Sequence, residues 1–180
     1  MKKTMLLVSA LLITAASQAE VTDAAANGFT TVNEVVIADG RAEVWVAAMA
    51  IGHWWSSDHT VSGDAARMSI EPVTQGCFCE SLGEEAGVVH LVVTMVNPTH
   101  LIRMTGGLGP LGLMGVDGNM TWEFEDDEEG TRVRFTYAVG GYSANGLDEI
   151  APAVDFVIGA ALGRLKNHVE TGKPESATVE

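Results

Sequence analysis

From Asp148 to Val169 the chain sets apolar residues at Ile150, Ala153, Val154, Val157, Ile158, Ala161, Leu162, Leu165 and Val169. Steps of three and four place them along one stripe of an α-helix. Asp155, Arg164, Lys166, Asn167 and Glu170 take the other side. At about 1.5 Å per residue the helix runs on the order of 30 Å, and a stripe that long needs an equally long apolar cover. Nearly everything upstream reads as strand, so the predicted cover is one curved sheet. Pro152 is tolerated only near the helix start, and Gly172 and Pro174 end it.

The first residues read differently. Lys2 and Lys3 precede an apolar run from Met5 to Ile13 and the small-residue pattern Ser17-Gln18-Ala19. This predicts a secretory signal peptide over residues 1–19, cut after Ala19, and hence a periplasmic or secreted protein. The apolar run is too short to span a bilayer. Cleavage would leave 8 Lys and Arg against 24 Asp and Glu, a formal charge of −16. Such a chain repels phosphate backbones and anionic lipid surfaces, which argues against nucleic acid and against a stable membrane anchor. The expected partner is a small, apolar or cationic molecule.

Residues 20–27 are small and polar and read as a flexible lead-in, and 173–180 as a flexible tail; 28–172 is a one-domain length. Phe29 to Ala38 is rich in Val, Thr and Ile and reads as a first strand. Asp39 is placed to cap a short helix over Gly40 to Ala50, and His53 to His59 reads as a second short helix or turn. Six strands follow: Arg67 to Val73, Cys77 to Ser81, Val88 to Val96, His100 to Gly106, Asn119 to Asp126 and Thr131 to Gly140. Their links are short, which implies antiparallel neighbours. The longer link, Gly107 to Gly118, is apolar and glycine-rich and is either tucked back on the sheet or a lid.

Alternation puts Met120, Trp122 and Phe124 on one face, with Val133, Phe135, Tyr137 and Val139 matching them on the next strand. These faces are expected to meet the long helix. Because Glu80 prefers water, Cys77 and Cys79 are placed inward, opposite Phe78 and Glu80. A bridge between residues two apart in an extended strand would be badly strained, so it is not expected to staple the fold. In Val88 to Val96 two parities compete, Val89, Leu91, Val93 and Met95 against His90, Val92, Thr94 and Val96. An outward first set would form an apolar stripe able to pair protomers.

The order strand, two short helices, six-strand meander and long helix resembles the helix-grip fold of the START-like or SRPBCC superfamily. The branch is that of the heat-shock-protein ATPase activators and polyketide cyclases. The resemblance rests on Asp39-Gly40-Arg41-Ala42-Glu43-Val44-Trp45, His53-Trp54-Trp55, Gly76 before Cys77-Phe78-Cys79-Glu80, Val96-Asn97-Pro98, Met120-Thr121-Trp122 and Thr131-Arg132-Val133. It implies an α+β fold, a curved antiparallel sheet of about seven strands (β-α-α-β6-α) wrapped around the C-terminal helix. Between them it implies a cavity for a hydrophobic small molecule or lipid. No cofactor and no metal are expected. The match of Val96-Asn97-Pro98 would turn His90 and Thr94 inward. The implied lining is Met68, Ile70, Cys77, Cys79, His90, Ile102, Met104, Trp122, Tyr137, Val154 and Ile158, with Trp54, Trp55 and Leu111 near the mouth. No catalytic motif is common to the superfamily, so no catalytic residue is carried over. The leader and the Cys-Phe-Cys strand depart from the branch. The primary expectation is an exported binding domain, monomeric or a weak homodimer. The alternative is a cyclase or dehydratase in which a cavity His or Tyr137 moves a proton.

Other clusters carry weaker signals. Cys77 and Cys79 with His90 and His59 have the chemistry of a soft metal site, but a single Cys-x-Cys pair reads more simply as two small buried side chains. His53, Ser56, Ser57, Asp58 and His59 hold the ingredients of acid–base chemistry without a nucleophile turn. Gly107 to Gly112 spells G-x-G-x-x-G outside any βαβ context. The acidic run Asp126 to Glu129 lies where a hairpin needs a solvated tip.

Overall fold

The computed structural model describes residues 18–175. The leader, apart from its last two residues, and the end of the tail at 176–180 lie outside that range. Eight strands form one curved antiparallel sheet: β1 (Gln18–Ala25), β2 (Gly28–Ile37), β3 (Met68–Ile70), β4 (Cys77–Gly83), β5 (Ala86–Asn97), β6 (Leu101–Thr105), β7 (Gly115–Asp127) and β8 (Gly130–Tyr142). Their order is β1-β2-β8-β7-β6-β5-β4-β3, so the last strand closes back on the second. Helix α1 (Arg41–Met49) and three single 3-10 turns link β2 to β3, and α2 (Ala151–Thr171) ends the chain.

The α+β helix-grip architecture stands, with one strand more than the sequence suggested. Residues 20–27 were expected as a flexible lead-in; most of them belong to β1, which pairs with β2 from Gln18↔Glu34 to Ala25↔Gly28. Side chains from Thr22 to Asn27 are exposed. Backbone pairing and the packing of Val21 against the core hold this edge strand, so it carries no apolar alternation to be read. Asp39 does not cap α1: Gly40 occupies the N-cap, and the Asp39 carboxylate accepts the Gly40 N–H at 2.7 Å. Pro152 lies in the first turn of α2, and Gly172 closes it in the left-handed conformation at φ 73°. In that region a side chain is strained.

On α2, Ala151, Ile158, Ala161, Leu162 and Leu165 are buried. The helix runs along β2 in the same direction, tied by polar side chains from its flanks. Asn33 Nδ2 donates to Asp155 Oδ1 at 2.9 Å, Lys166 Nζ to the Val36 carbonyl, and the Ala38 N–H to Glu170 at 2.9 Å. The rings that cover β7 come from upstream of β3: Trp45 of α1 meets Phe124 at 5.2 Å and Trp54 meets Trp122 at 6.0 Å.

The apolar link before β7 is tucked back. It forms a 3-10 segment, Gly109–Leu113, that buries Leu111 and leaves Leu113 exposed. A short segment between antiparallel strands offers no helix for a dinucleotide phosphate. Glu128 and Glu129 form a two-residue exposed tip, with Asp127 opposite Gly130.

Candidate functional site

Inward-facing residues on β2, β8, β7 and β6 line up in cross-strand rows. One row runs Asn33, Phe135, Trp122, Ile102, and the next runs Thr31, Tyr137, Met120, Met104. Side chains directly opposite across a strand pair are the contacting unit of a sheet. Here they generate a continuous series of rings. Phe135 stacks on Trp122 at 4.2 Å, Trp122 meets Trp54 at 6.0 Å, Trp54 meets Trp55 at 5.7 Å, Trp55 meets Phe78 at 5.6 Å, and Phe78 meets His90 at 5.6 Å. Arg164 of α2 holds the middle of the series by donating to the backbone carbonyls of Trp54 (2.8 Å) and Trp55 (3.2 Å).

At the far end lies a polar pair. The β4–β5 pairing passes from Phe78↔Leu91 to Cys79↔Val89 and leaves His90 without an opposite residue. This bulge lets His90 and Leu91, neighbours in sequence, both face inward. His90 Nε2 lies 3.0 Å from Glu80 Oε2, whose carboxylate also accepts the Val61 N–H at 3.0 Å and the Ser62 N–H. Glu80 was expected to prefer water, yet it is 1% exposed. Burial pushes its carboxyl up, but hydrogen bonds from Ser62, Val61 and His90 outweigh that and hold it at about 2.

Tyr137 is occupied by structure. Its hydroxyl donates to the Gly106 carbonyl at 2.8 Å and accepts the Leu108 N–H at 2.9 Å, latching the 3-10 segment to β8. Burial, aided by the charge of Asp117 and opposed by the Leu108 N–H, pushes its hydroxyl up to about 12. The ring lies over Gly118, where a Cβ would sit 2.6 Å from Tyr137 Cε2.

Of the predicted lining residues, Trp54, Trp55, Met68, Ile70, His90, Ile102, Met104, Leu111, Trp122, Tyr137 and Ile158 are buried on the inner face, and Val154 is half-buried. Cys77 and Cys79 are corrected: they lie half-buried on the opposite face, because Phe78 and Glu80 take the inside. They are joined by a disulfide with a Cα–Cα distance of 5.4 Å. Two residues of a regular strand span about 6.6 Å; this pair lies closer, within the range a bridge accepts. No thiolates remain for a soft metal site. Among the described residues no group of three His, Cys, Asp or Glu side chains is placed to hold a metal ion.

Neither parity of β5 holds along its length. A second shift, from Val93↔Met104 to Met95↔Arg103, skips Thr94. His90 therefore faces in with the second set, Leu91 and Val93 with the first, and Val96 with the second again, while Thr94 is exposed. Val89, Val92 and Met95 face outward. His53, Ser57, Asp58 and His59 are exposed and gather into no catalytic group: Ser57 Oγ accepts the Ala65 N–H, and the His59 carbonyl accepts Trp55 Nε1. His53 instead faces His168 at 6.0 Å; burial, then that neighbour's charge, lowers the His168 imidazole.

Sequence reasoning missed two things. One is Glu80, visible only as an acid on the same face of β4 as Phe78. The other is a set of buried polar atoms, Thr31 Oγ1, Asn33 Oδ1 and Trp122 Nε1, that have no hydrogen-bond partner.

A curved antiparallel sheet gripping a C-terminal helix, with an aromatic inner face, defines a helix-grip protein of the SRPBCC superfamily. Residues 29–170 match the family described as polyketide cyclase/dehydrase and lipid transport, and the chain belongs to that family. Solved structures share the fold at low identity. A protein from Rhizobium leguminosarum is 19% identical with a TM-score of 0.57, the match covering 86% of this chain and 98% of that one. The Aha1 dimer from Colwellia psychrerythraea is 17% identical with a TM-score of 0.55, covering 80% and 98%. A conserved protein of unknown function from Enterococcus faecalis is 13% identical with a TM-score of 0.59, covering 91% and 82%. No curated protein matches the sequence.

Proposed function

We propose that this chain is an exported domain that binds a hydrophobic small molecule or lipid between the sheet and α2, without chemistry of its own. The observation that carries the reading is the ring series from Phe135 to Phe78 on the inner face, in a family described by polyketide and lipid ligands. Aromatic and aliphatic walls with few polar groups are the usual lining of small-molecule sites. The rings touch one another in this structure, so a guest enters by parting them. The protein acts as a monomer or weak homodimer, independent of nucleic acid and of a membrane anchor. Signal-peptide cleavage near Ala19 delivers it to the periplasm.

Native mass spectrometry of protein purified from its own host, without detergent, tests both parts. A retained apolar mass is expected on a chain beginning at Glu20. A bare mass in every preparation, with no thermal shift on adding naphthalene, overturns ligand binding; an intact residue 1 overturns export.

The Glu80–His90 pair favours a second reading, in which His90 transfers a proton on the guest. Tyr137 does not serve that role at neutral pH, because its proton is held by the Gly106 carbonyl and its hydroxyl titrates at about 12. Ligand turnover that disappears in His90→Phe while ligand retention persists would select the enzyme; retention without turnover in the wild type selects the binder.

A further inference from the structure

We infer that the guest of the inner face is an uncharged molecule bearing a hydroxyl or carbonyl group, which it sets against Thr31, Asn33 and Trp122; this rests on the ligand-binding reading above. Thr31 and Asn33 alternate on the inner face of β2, and Trp122 lies two strands away in the same row as Asn33. All three residues are 0% exposed. Trp122 Nε1 is a donor without an acceptor, Asn33 Oδ1 an acceptor without a donor, and Thr31 Oγ1 can serve as either.

Buried polar atoms are nearly always paired, and each that is not weakens the fold. Three on one inner face, two on β2 and one on β7 two strands away, form a pattern with a direction. A hydroxyl satisfies both signs, giving its proton to Asn33 Oδ1 or Thr31 Oγ1 and accepting from Trp122 Nε1; a carbonyl satisfies the donors alone.

The charge of the guest follows from its neighbours. Of the half-buried basic groups of α2, Arg164 is engaged with the Trp54 and Trp55 carbonyls and Lys166 with the Val36 carbonyl and Glu170, while burial and then the charge of His53 disfavour the charged form of His168. His90, at the end of the ring series, faces the Glu80 carboxylate. Asn33 Nδ2 donates to Asp155, which puts a negative charge beside the unpartnered oxygen. An anionic head would lose its hydration and meet no free cation among these groups, a heavy penalty in an interior of low dielectric. A neutral oxygenated head meets partners at once. The inner face therefore selects against carboxylate and phosphate lipids and for neutral ring systems carrying an oxygen.

Three rigid probes of one shape test this: naphthalene, 2-naphthol and 2-naphthoate, titrated into the intact protein near pH 7 with tryptophan fluorescence and calorimetry. The expected order is 2-naphthol tightest, by about tenfold over naphthalene and by more over 2-naphthoate. Thr31→Val, which keeps the side-chain shape and lies outside the ring series, should shrink the naphthol advantage over naphthalene to about threefold or less while leaving naphthalene itself bound; Trp122→Phe should shrink the same advantage. Far-UV circular dichroism checks that both variants remain folded, and Thr31→Val keeps the test alive if Trp122→Phe does not fold. Binding of 2-naphthoate as tight as 2-naphthol, or a naphthol advantage unchanged in Thr31→Val, overturns the inference while leaving a hydrophobic site in place. Failure of all three probes to bind overturns the ligand-binding reading and this inference together.

Discussion

Glu80→Gln is the sharpest single test of how the inner face is built. The wild-type carboxylate has no exposed side-chain surface and accepts from the Val61 N–H, the Ser62 N–H and His90. Glutamine keeps the shape but presents one acceptor and one donor, so at least one backbone N–H loses its partner and the charge is gone. The magnitude follows from the carboxyl being held at about 2 in place of 4.5. At 1.36 kcal/mol per pH unit this is on the order of 3 kcal/mol of stability at neutral pH. The folded-state value lies below the unfolded one, so the contribution is present in full above pH 4.5 and is lost as pH falls toward 2. Urea unfolding followed by tryptophan fluorescence, at pH steps from neutral downward, measures the difference between wild type and variant. Other carboxylates titrate in the same window, but they cancel in that difference. The expected curve starts near 3 kcal/mol, about the value derived above, and falls toward zero as the medium becomes strongly acid. A variant as stable as wild type at neutral pH, or a difference that does not change with pH, refutes the account of Glu80 as a charged, hydrogen-bonded anchor.

Tyr137→Phe removes the hydroxyl that bridges Gly106 and Leu108 and should lower stability by about 1–3 kcal/mol. Hydrogen exchange should speed up at Leu108 and Leu111 while β8 keeps its protection; uniform change along β8 would contradict a local latch. The double variant Cys77→Ser, Cys79→Ser should lose less than about 2 kcal/mol, because a bridge between residues two apart closes almost no loop in the unfolded chain. A collapse of the thermal transition in that variant would show that the bridge holds more of the fold than its loop length allows.

The candidate site was legible where side chains follow a simple period. Met120, Trp122 and Phe124 on β7, with Phe135 and Tyr137 on β8, face inward as alternation dictates, and these strands pair without a register shift. On β5 the same counting failed. It assumes one residue opposite one, and two bulges at His90 and Thr94 break that assumption. A bulge leaves no mark in hydropathy. On β4 the alternation itself holds, with Phe78 and Glu80 inside and Cys77 and Cys79 outside, and it is the charge of Glu80 that points the reading to the wrong face. Glu80 also reversed a solvation rule: a carboxylate enters the interior once enough donors are waiting, and two of those donors are backbone N–H groups 18 and 19 residues away.

By itself the sequence determined the element order, the antiparallel meander, the amphipathic C-terminal helix and the identity of most inner-face residues, because helix and strand periods are local properties of the chain. Only the tertiary structure decided that β1 extends the sheet and that α2 runs along β2. It also decided that the cysteines are bridged outside and that Thr31, Asn33 and Trp122 lie buried without partners. Those outcomes depend on register and on backbone groups far apart in the chain, and a linear pattern carries neither.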